Sequence, residues 1–138
     1  MKNIYPLVLL ICLIVTGCST PPSLEISSQS GDEIKIIEGS YCWKQKCVDK
    51  LTPNELLEKN NYKPITLPAN SYVKVRFDKI PTSSDVHLQS VNQNESSVQQ
   101  QIVDNRITLP NQAGNYIYLI FATWESGSAN YIFSITIE

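Results

Sequence analysis

The chain has one histidine, His87, in 138 residues. A Ser-His-Asp or Cys-His catalytic arrangement would have to run through that single ring. Around it, Val86, Leu88 and Ser90 alternate with His87, Gln89 and Val91. The pattern puts the imidazole on the polar side of a strand, which reads as a solvated histidine and not as a base. Also lacking are a Cys-x-x-Cys pair, a glycine-rich phosphate loop and a His-Glu-x-x-His segment. Cys42 and Cys47 have neither the close spacing nor the further ligands of a zinc site. Asp49 and Asp78 fall near strand ends with no second carboxylate or histidine at ligand spacing. These absences assign no catalytic residue, no cofactor and no metal, and they argue against an enzyme. Basic residues are not in surplus either, with 11 Lys and Arg against 13 Asp and Glu. No positive field is available for nucleic acid. Repeats and runs of like charge are missing, and Asn94-Glu95-Ser96, a glycosylation sequon by spelling, reads as part of a polar turn.

What the N-terminus holds is more specific. Met1-Lys2-Asn3 carries one positive charge, and residues 4–15 form a 12-residue apolar run. At ~1.5 Å per helical residue the run reaches about 18 Å, short of a ~30 Å hydrocarbon core. That length suits the hydrophobic region of a signal peptide better than a membrane span. Val15-Thr16-Gly17-Cys18 follows, and it resembles the lipobox of bacterial lipoproteins. The resemblance implies a diacylglyceryl group on the Cys18 sulfur and cleavage just before it. Two acyl chains give stable membrane attachment where one is marginal. The alternative is an ordinary secreted protein cleaved near Gly17 with a free thiol. Removing residues 1–17 leaves 121 residues with 10 basic and 13 acidic side chains, a net charge of −3. That is one domain in size. Cys12 leaves with the signal segment. With Cys18 lipidated as the resemblance implies, Cys42 and Cys47 remain, an even number that points to a disulfide in an exported chain.

Residues 18–31, rich in Ser and Pro, read as the lipidated cysteine and a flexible tether. Leu24 and Ile26 alternate with polar neighbours and offer an edge strand as the alternative. The folded domain is then expected over residues 32–138. Residues 33–37 are β-branched and extended, and Gly39 marks a turn before Tyr41-Cys42-Trp43. In one straight strand Cys42 and Cys47 would lie about 16 Å apart, whereas a disulfide needs Cα atoms within ~7 Å. Trp43-Lys44-Gln45-Lys46 is therefore expected to form a four-residue hairpin tip. Thr52, Pro53 and Glu55 have the spacing of a helix N-cap, first-turn proline and capping box, with Asn60-Asn61 ending a short helix. From Lys63 onward strands follow one another. Val73, Val75 and Phe77 share a face opposite Lys74 and Arg76, and two weaker strands flank an Asp104-Asn105 turn.

The last hairpin is the strongest pattern. Pairing across residues 125–128 sets Trp124 against Ala129, Ala122 against Tyr131, Ile120 against Phe133, Tyr118 against Ile135 and Tyr116 against Ile137. Every pair is apolar, and a slip of one residue would scatter the set. The other face carries Ile117, Leu119, Phe121 and Ile132 among Thr123, Asn130, Ser134 and Thr136. Seven or eight short strands with little helix predict an all-β chain. The expected arrangement is an antiparallel β-sandwich, immunoglobulin-like in general arrangement, with one short helix in a loop. An up-and-down barrel is the alternative.

Gly39-Ser40-Tyr41-Cys42-Trp43, Cys47-Val48-Asp49 and the late Tyr118 to Trp124 with Tyr131 resemble a group of small lipoproteins of low-GC Gram-positive bacteria. The resemblance supports the anchor and the disulfide and transfers no catalytic residue. The expected function is a membrane-anchored, outward-facing lipoprotein acting as a non-catalytic binding or scaffolding module. Its expected partners are the membrane, through the lipid, and an envelope protein or wall polymer. The alternative is a thiol-disulfide active envelope protein using Cys42 and Cys47, with Lys44 and Lys46 nearby to favour a thiolate. Candidate contact residues are Trp43, Phe121 and Ile132. Trp43 either packs on its neighbours or faces a partner. The face of Phe121 and Ile132 is either covered by the Leu56-Leu57 segment or open as a patch.

Overall fold

The computed structural model describes residues 20–91 and 97–138. The expected signal segment with Cys18 and Ser19, and residues 92–96 of the expected polar turn, lie outside the described residues. The chain is an antiparallel β-sandwich with one short helix. β1 (Leu24–Ser28), β2 (Glu33–Ile34), β6 (Tyr72–Phe77) and β9 (Arg106–Thr108) make a four-stranded sheet in the order β2-β1-β6-β9. The larger sheet runs β4-β3-β11-β10-β7-β8. It uses β3 (Ile37–Trp43), β4 (Lys46–Val48), β7 (Ser83–Ser90), β8 (Val98–Gln100), β10 (Gly114–Trp124) and β11 (Gly127–Ile137). A short β5 (Ile65–Leu67) adds to β11 in parallel, the one departure from antiparallel pairing among the described strands.

The inner faces follow the alternation in the sequence. Ile26, Val73, Val75 and Ile107 from the small sheet meet Tyr118, Ile120, Phe133, Ile135 and Ile137 from the large one. Tyr118 stacks on Phe133 with centroids 4.8 Å apart. Phe77, Trp124 and Trp43 close one end of the core through edge-on contacts, 5.9 Å between Phe77 and Trp124 and 5.7 Å between Trp43 and Trp124. The Trp124 indole N–H donates to the Lys79 carbonyl, 2.9 Å, which satisfies the one polar atom of a buried ring.

Four local expectations are corrected. First, residues 24–28 are not tether. Leu24 and Ile26 bury against Phe77 and Val75 as β1, an inner strand of the small sheet. Pro21 is already buried, and the Pro22 carbonyl accepts from the Tyr131 hydroxyl. Second, the break between β2 and β3 falls at Lys35-Ile36, where the chain changes sheets. Gly39 lies within β3, where Gly39 and Ser40 together oppose Asn130 in a bulge. A Cβ at Gly39 would stand 3.2 Å from the Asn130 Cβ, so the small residue lets the bulged strand approach. Third, the disulfide hairpin turns on two residues, not four. Lys44 and Gln45 both take positive φ, and Trp43 pairs with Lys46. Fourth, the last hairpin turns at Glu125-Ser126, so Trp124 meets Gly127, Ala122 meets Ala129 and Tyr118 meets Phe133. This register lies two residues from the expected one. With a period of two, both registers put the same side chains inward, and the alternation could not separate them.

The helix is as its residues imply. α1 (Pro53–Lys59) has Thr52 at the N-cap, Pro53 in the first turn, Glu55 closing the capping box and Asn60 at the C-cap. The Asp104-Asn105 turn also forms, both residues in the left-handed region. It joins β8 and β9, which belong to different sheets.

Candidate functional site

The outer face of the large sheet is built from odd positions of β7 and β10 and even positions of β11. Its two halves differ. In one, α1 and the turn over residues 57–62 lie across the strands, and Leu56, Ile37, Ile117 and Ile132 form a second small core with Leu57, Tyr62 and Leu119 against it. The Tyr62 hydroxyl donates to the Lys35 carbonyl, 2.7 Å, pinning the end of the lid. Partial burial of Tyr62 pushes its pKa up from the usual tyrosine value. The helix supplies the amphipathic cover that Leu56 and Leu57 require.

The other half, toward the β10–β11 turn, is open. At its centre Phe121 is 37% exposed. Across the sheet it is opposite Asn130 on one side and Asp85 on the other. The His87 ring meets it edge-on, 5.0 Å between centroids. The Asp85 carboxylate accepts from Gln99 Nε2 at 3.0 Å and Gln101 Nε2 at 3.2 Å. Thr123 and Ser128 continue the face toward Cys42, which pairs with Ser128 across β3 and β11. The result is a flat surface with one aromatic ring among carboxylate, amide, hydroxyl and imidazole groups. Such a surface can bind by stacking and hydrogen bonding. No group of three or more His, Cys, Asp or Glu able to hold a metal occurs among the described residues.

The three expected contact residues separate. Phe121 is on the open face. Ile132 is 1% exposed beneath α1 and offers no surface. Trp43 is 5% exposed and turned into the core against Trp124, so as a contact residue it is corrected. The cause is the period of β3: Cys42 points outward, so Trp43 points inward. Cys42 and Cys47 are bonded, directly opposite each other with Cα atoms 4.0 Å apart, and both residues are exposed. His87 is half-buried against Phe121. Asp85, Gln99 and Gln101 were not singled out from the sequence. Asp85 had a readable signal, standing two residues before His87 and so on the same face. The glutamines had none, since their place depends on β8 pairing with β7.

A concavity of about 460 Å³ lies beside β6 and β7. Phe77, Ile80, Pro81 and Ile102 line it with Arg76 and Asp104. Among the described residues no helix is long and apolar enough to cross a membrane. No family model matches the chain, and no curated protein or solved structure is significantly similar to it.

Proposed function

We propose that the chain is an outward-facing, lipid-anchored envelope lipoprotein whose β-sandwich is a non-catalytic binding or scaffolding module. The anchor rests on Val15-Thr16-Gly17-Cys18 after its apolar run. The observation that carries the binding role is the open half of the large sheet, where Phe121 stands exposed among Asp85, His87 and Asn130 while Ile37, Ile117 and Ile132 on the same face are capped by α1. Aromatic side chains in such settings supply contact area at low entropic cost. The partner is an envelope protein or wall polymer reached on the outer side of the membrane.

Two measurements test this reading. Cys18→Ala should abolish palmitate incorporation, and equal labelling of wild type and variant would remove the anchor. Phe121→Ser, assayed at a temperature where it is still fully folded, should lose a component cross-linked to the wild type in the envelope. Identical capture would move the binding surface elsewhere.

A second reading is favoured by one observation. Cys42 and Cys47 are both exposed at a hairpin flanked by Lys44 and Lys46. Exposed disulfides are the ones that exchange. A reduction potential well below about −300 mV would mark a structural bond and remove the redox role.

A further inference from the structure

Three Cα steps lead from Cys18 to Pro21, which is buried. From there the chain is fixed: the Pro22 carbonyl accepts from Tyr131, and the Ser23 carbonyl accepts from the Asp78 N–H at 2.9 Å. At ~3.8 Å per Cα step, Cys18 can stand at most about 11 Å from Pro21. A lipid on Cys18 would therefore hold the domain against the bilayer, with no tether to lift it.

The place where the chain leaves the domain decides which end faces the lipid. Ser23 lies beside Asp78, and Lys79 accepts from Trp124 at the end of β10. The Lys44 N–H donates to the Ser126 carbonyl at 2.9 Å, which puts the disulfide hairpin tip beside the β10–β11 turn. All these loops share one end of the sandwich. That end presents Ile80, 86% exposed, the most exposed large apolar residue among those described. The same end carries Lys44, Lys46 and Lys79 with Asp78 and Glu125, and beside Ile80 lie Asp104 and the Arg76–Glu25 ion pair, so its charges balance. An exposed aliphatic tip flanked by lysines, whose stems can lie along apolar surface while their heads stay at the headgroups, suits a bilayer interface. The opposite end carries Asn70, Asn111, Gln112 and Glu138, with no cation among them, and β10 and β11 set it roughly 35 Å away.

We infer that the Ile80 end of the sandwich is a second membrane contact: it lies on the bilayer, Ile80 enters the lipid headgroup boundary, and Lys44, Lys46 and Lys79 meet headgroup phosphates. This rests on the proposed lipidation of Cys18. It fixes an orientation, with the strands rising from the membrane and the Asn111 end outermost.

The test uses the full lipidated protein in vesicles of phosphatidylcholine and phosphatidylglycerol. Ile80→Cys and, separately, Asn111→Cys are labelled with an environment-sensitive fluorophore. Brominated acyl chains then report contact with lipid. Both positions are exposed, and a melting curve matching wild type checks each fold. The mass of the N-terminal peptide checks the lipid on Cys18 independently. With Cys18 lipidated, quenching at position 80 is expected to exceed that at position 111 by at least about threefold, since an interfacial residue sits ~5–10 Å into the boundary. Equal quenching at the two positions on lipidated protein would overturn the inference and leave the anchor standing. An unlipidated Cys18 would overturn the anchor and the inference with it.

Discussion

Single atoms in this sandwich have clear consequences. The Tyr118 side chain is fully buried, and its hydroxyl has no hydrogen-bond partner among the described residues, while the ring stacks on Phe133. An unpaired buried hydroxyl costs about 1–3 kcal/mol. Tyr118→Phe keeps the ring and removes the orphan, so it should leave stability unchanged or raise it by about 1 kcal/mol in urea denaturation. Burial also pushes the Tyr118 and Tyr131 hydroxyls far above the usual tyrosine pKa. Both are then neutral in the folded state well after the unfolded chain begins to ionise near pH ~10. Their contribution is complete below that value and is lost as pH rises toward the folded pKa values. Stability should be flat with respect to these groups up to about pH 10 and fall above it, and Tyr118→Phe should make the fall shallower. At Gly127 the constraint is backbone. A Cβ there would lie 2.0 Å from the Cys42 carbonyl oxygen, and its φ of +153° lies where L residues are rarely found. Gly127→Ala should destabilise by at least about 2 kcal/mol. A thermal shift of less than a few degrees would show that β3 can move aside.

At the scale of elements, the capped and open halves of the outer face make opposite predictions. Leu56 is 7% exposed over Ile117 and Ile132, so Leu56→Ala should cost about 2–3 kcal/mol. Phe121, partly exposed, should cost only about 1–2 kcal/mol on change to alanine, less than the ~3–5 of a fully buried ring. Chemical denaturation of the two variants side by side reads the difference, and equal costs would mean that Phe121 is core. The sequence carried these elements unevenly. The helix was legible because Thr52, Pro53 and Glu55 state its start chemically. The two faces of the last hairpin were legible because period two is all that inward and outward positions require. Its register was not, because sliding by two residues preserves every face, and Glu125-Ser126 lacks the Asn-Gly signature that would have fixed the turn. The disulfide tip hid its length likewise, since Lys44 and Gln45 take conformations that glycine and asparagine usually announce. The open half of the face was legible at Phe121, Thr123, Asn130 and His87, each from the alternation of its own strand. Asp85, Gln99 and Gln101 come together through a pairing of β7 with β8 that no local pattern encodes.

At the scale of the whole molecule, the N-terminal segment joins the proposed anchor to the core. Ser-rich composition made residues 19–31 look expendable, with Leu24 and Ile26 too few to mark a strand securely. What composition could not show is where they pair. β1 lies between β2 and β6, and Ile26 faces both Ile34 and Val75. Removing it would strip the small sheet of an inner strand and leave β2 with no partner. It would also break the Tyr131 contact with Pro22 that ties the small sheet's leading segment to the large one. Leu24 and Ile26 are 8% and 1% exposed, and full burial of such side chains is worth about 1.5–3 kcal/mol each. Their sum of roughly 3–6 kcal/mol is comparable with the total stability of about 5–15 kcal/mol of a small domain. A chain beginning at Gly31 is therefore expected to lose its cooperative thermal transition, whereas one beginning at Thr20 should keep it. Calorimetry of both separates the cases. A sharp transition in the Gly31 chain, with an enthalpy close to that of the longer one, would mean that the large sheet folds without the small sheet's inner strand. Its absence would mean that the residues just after the proposed lipid site are as much a part of the folding unit as the last hairpin.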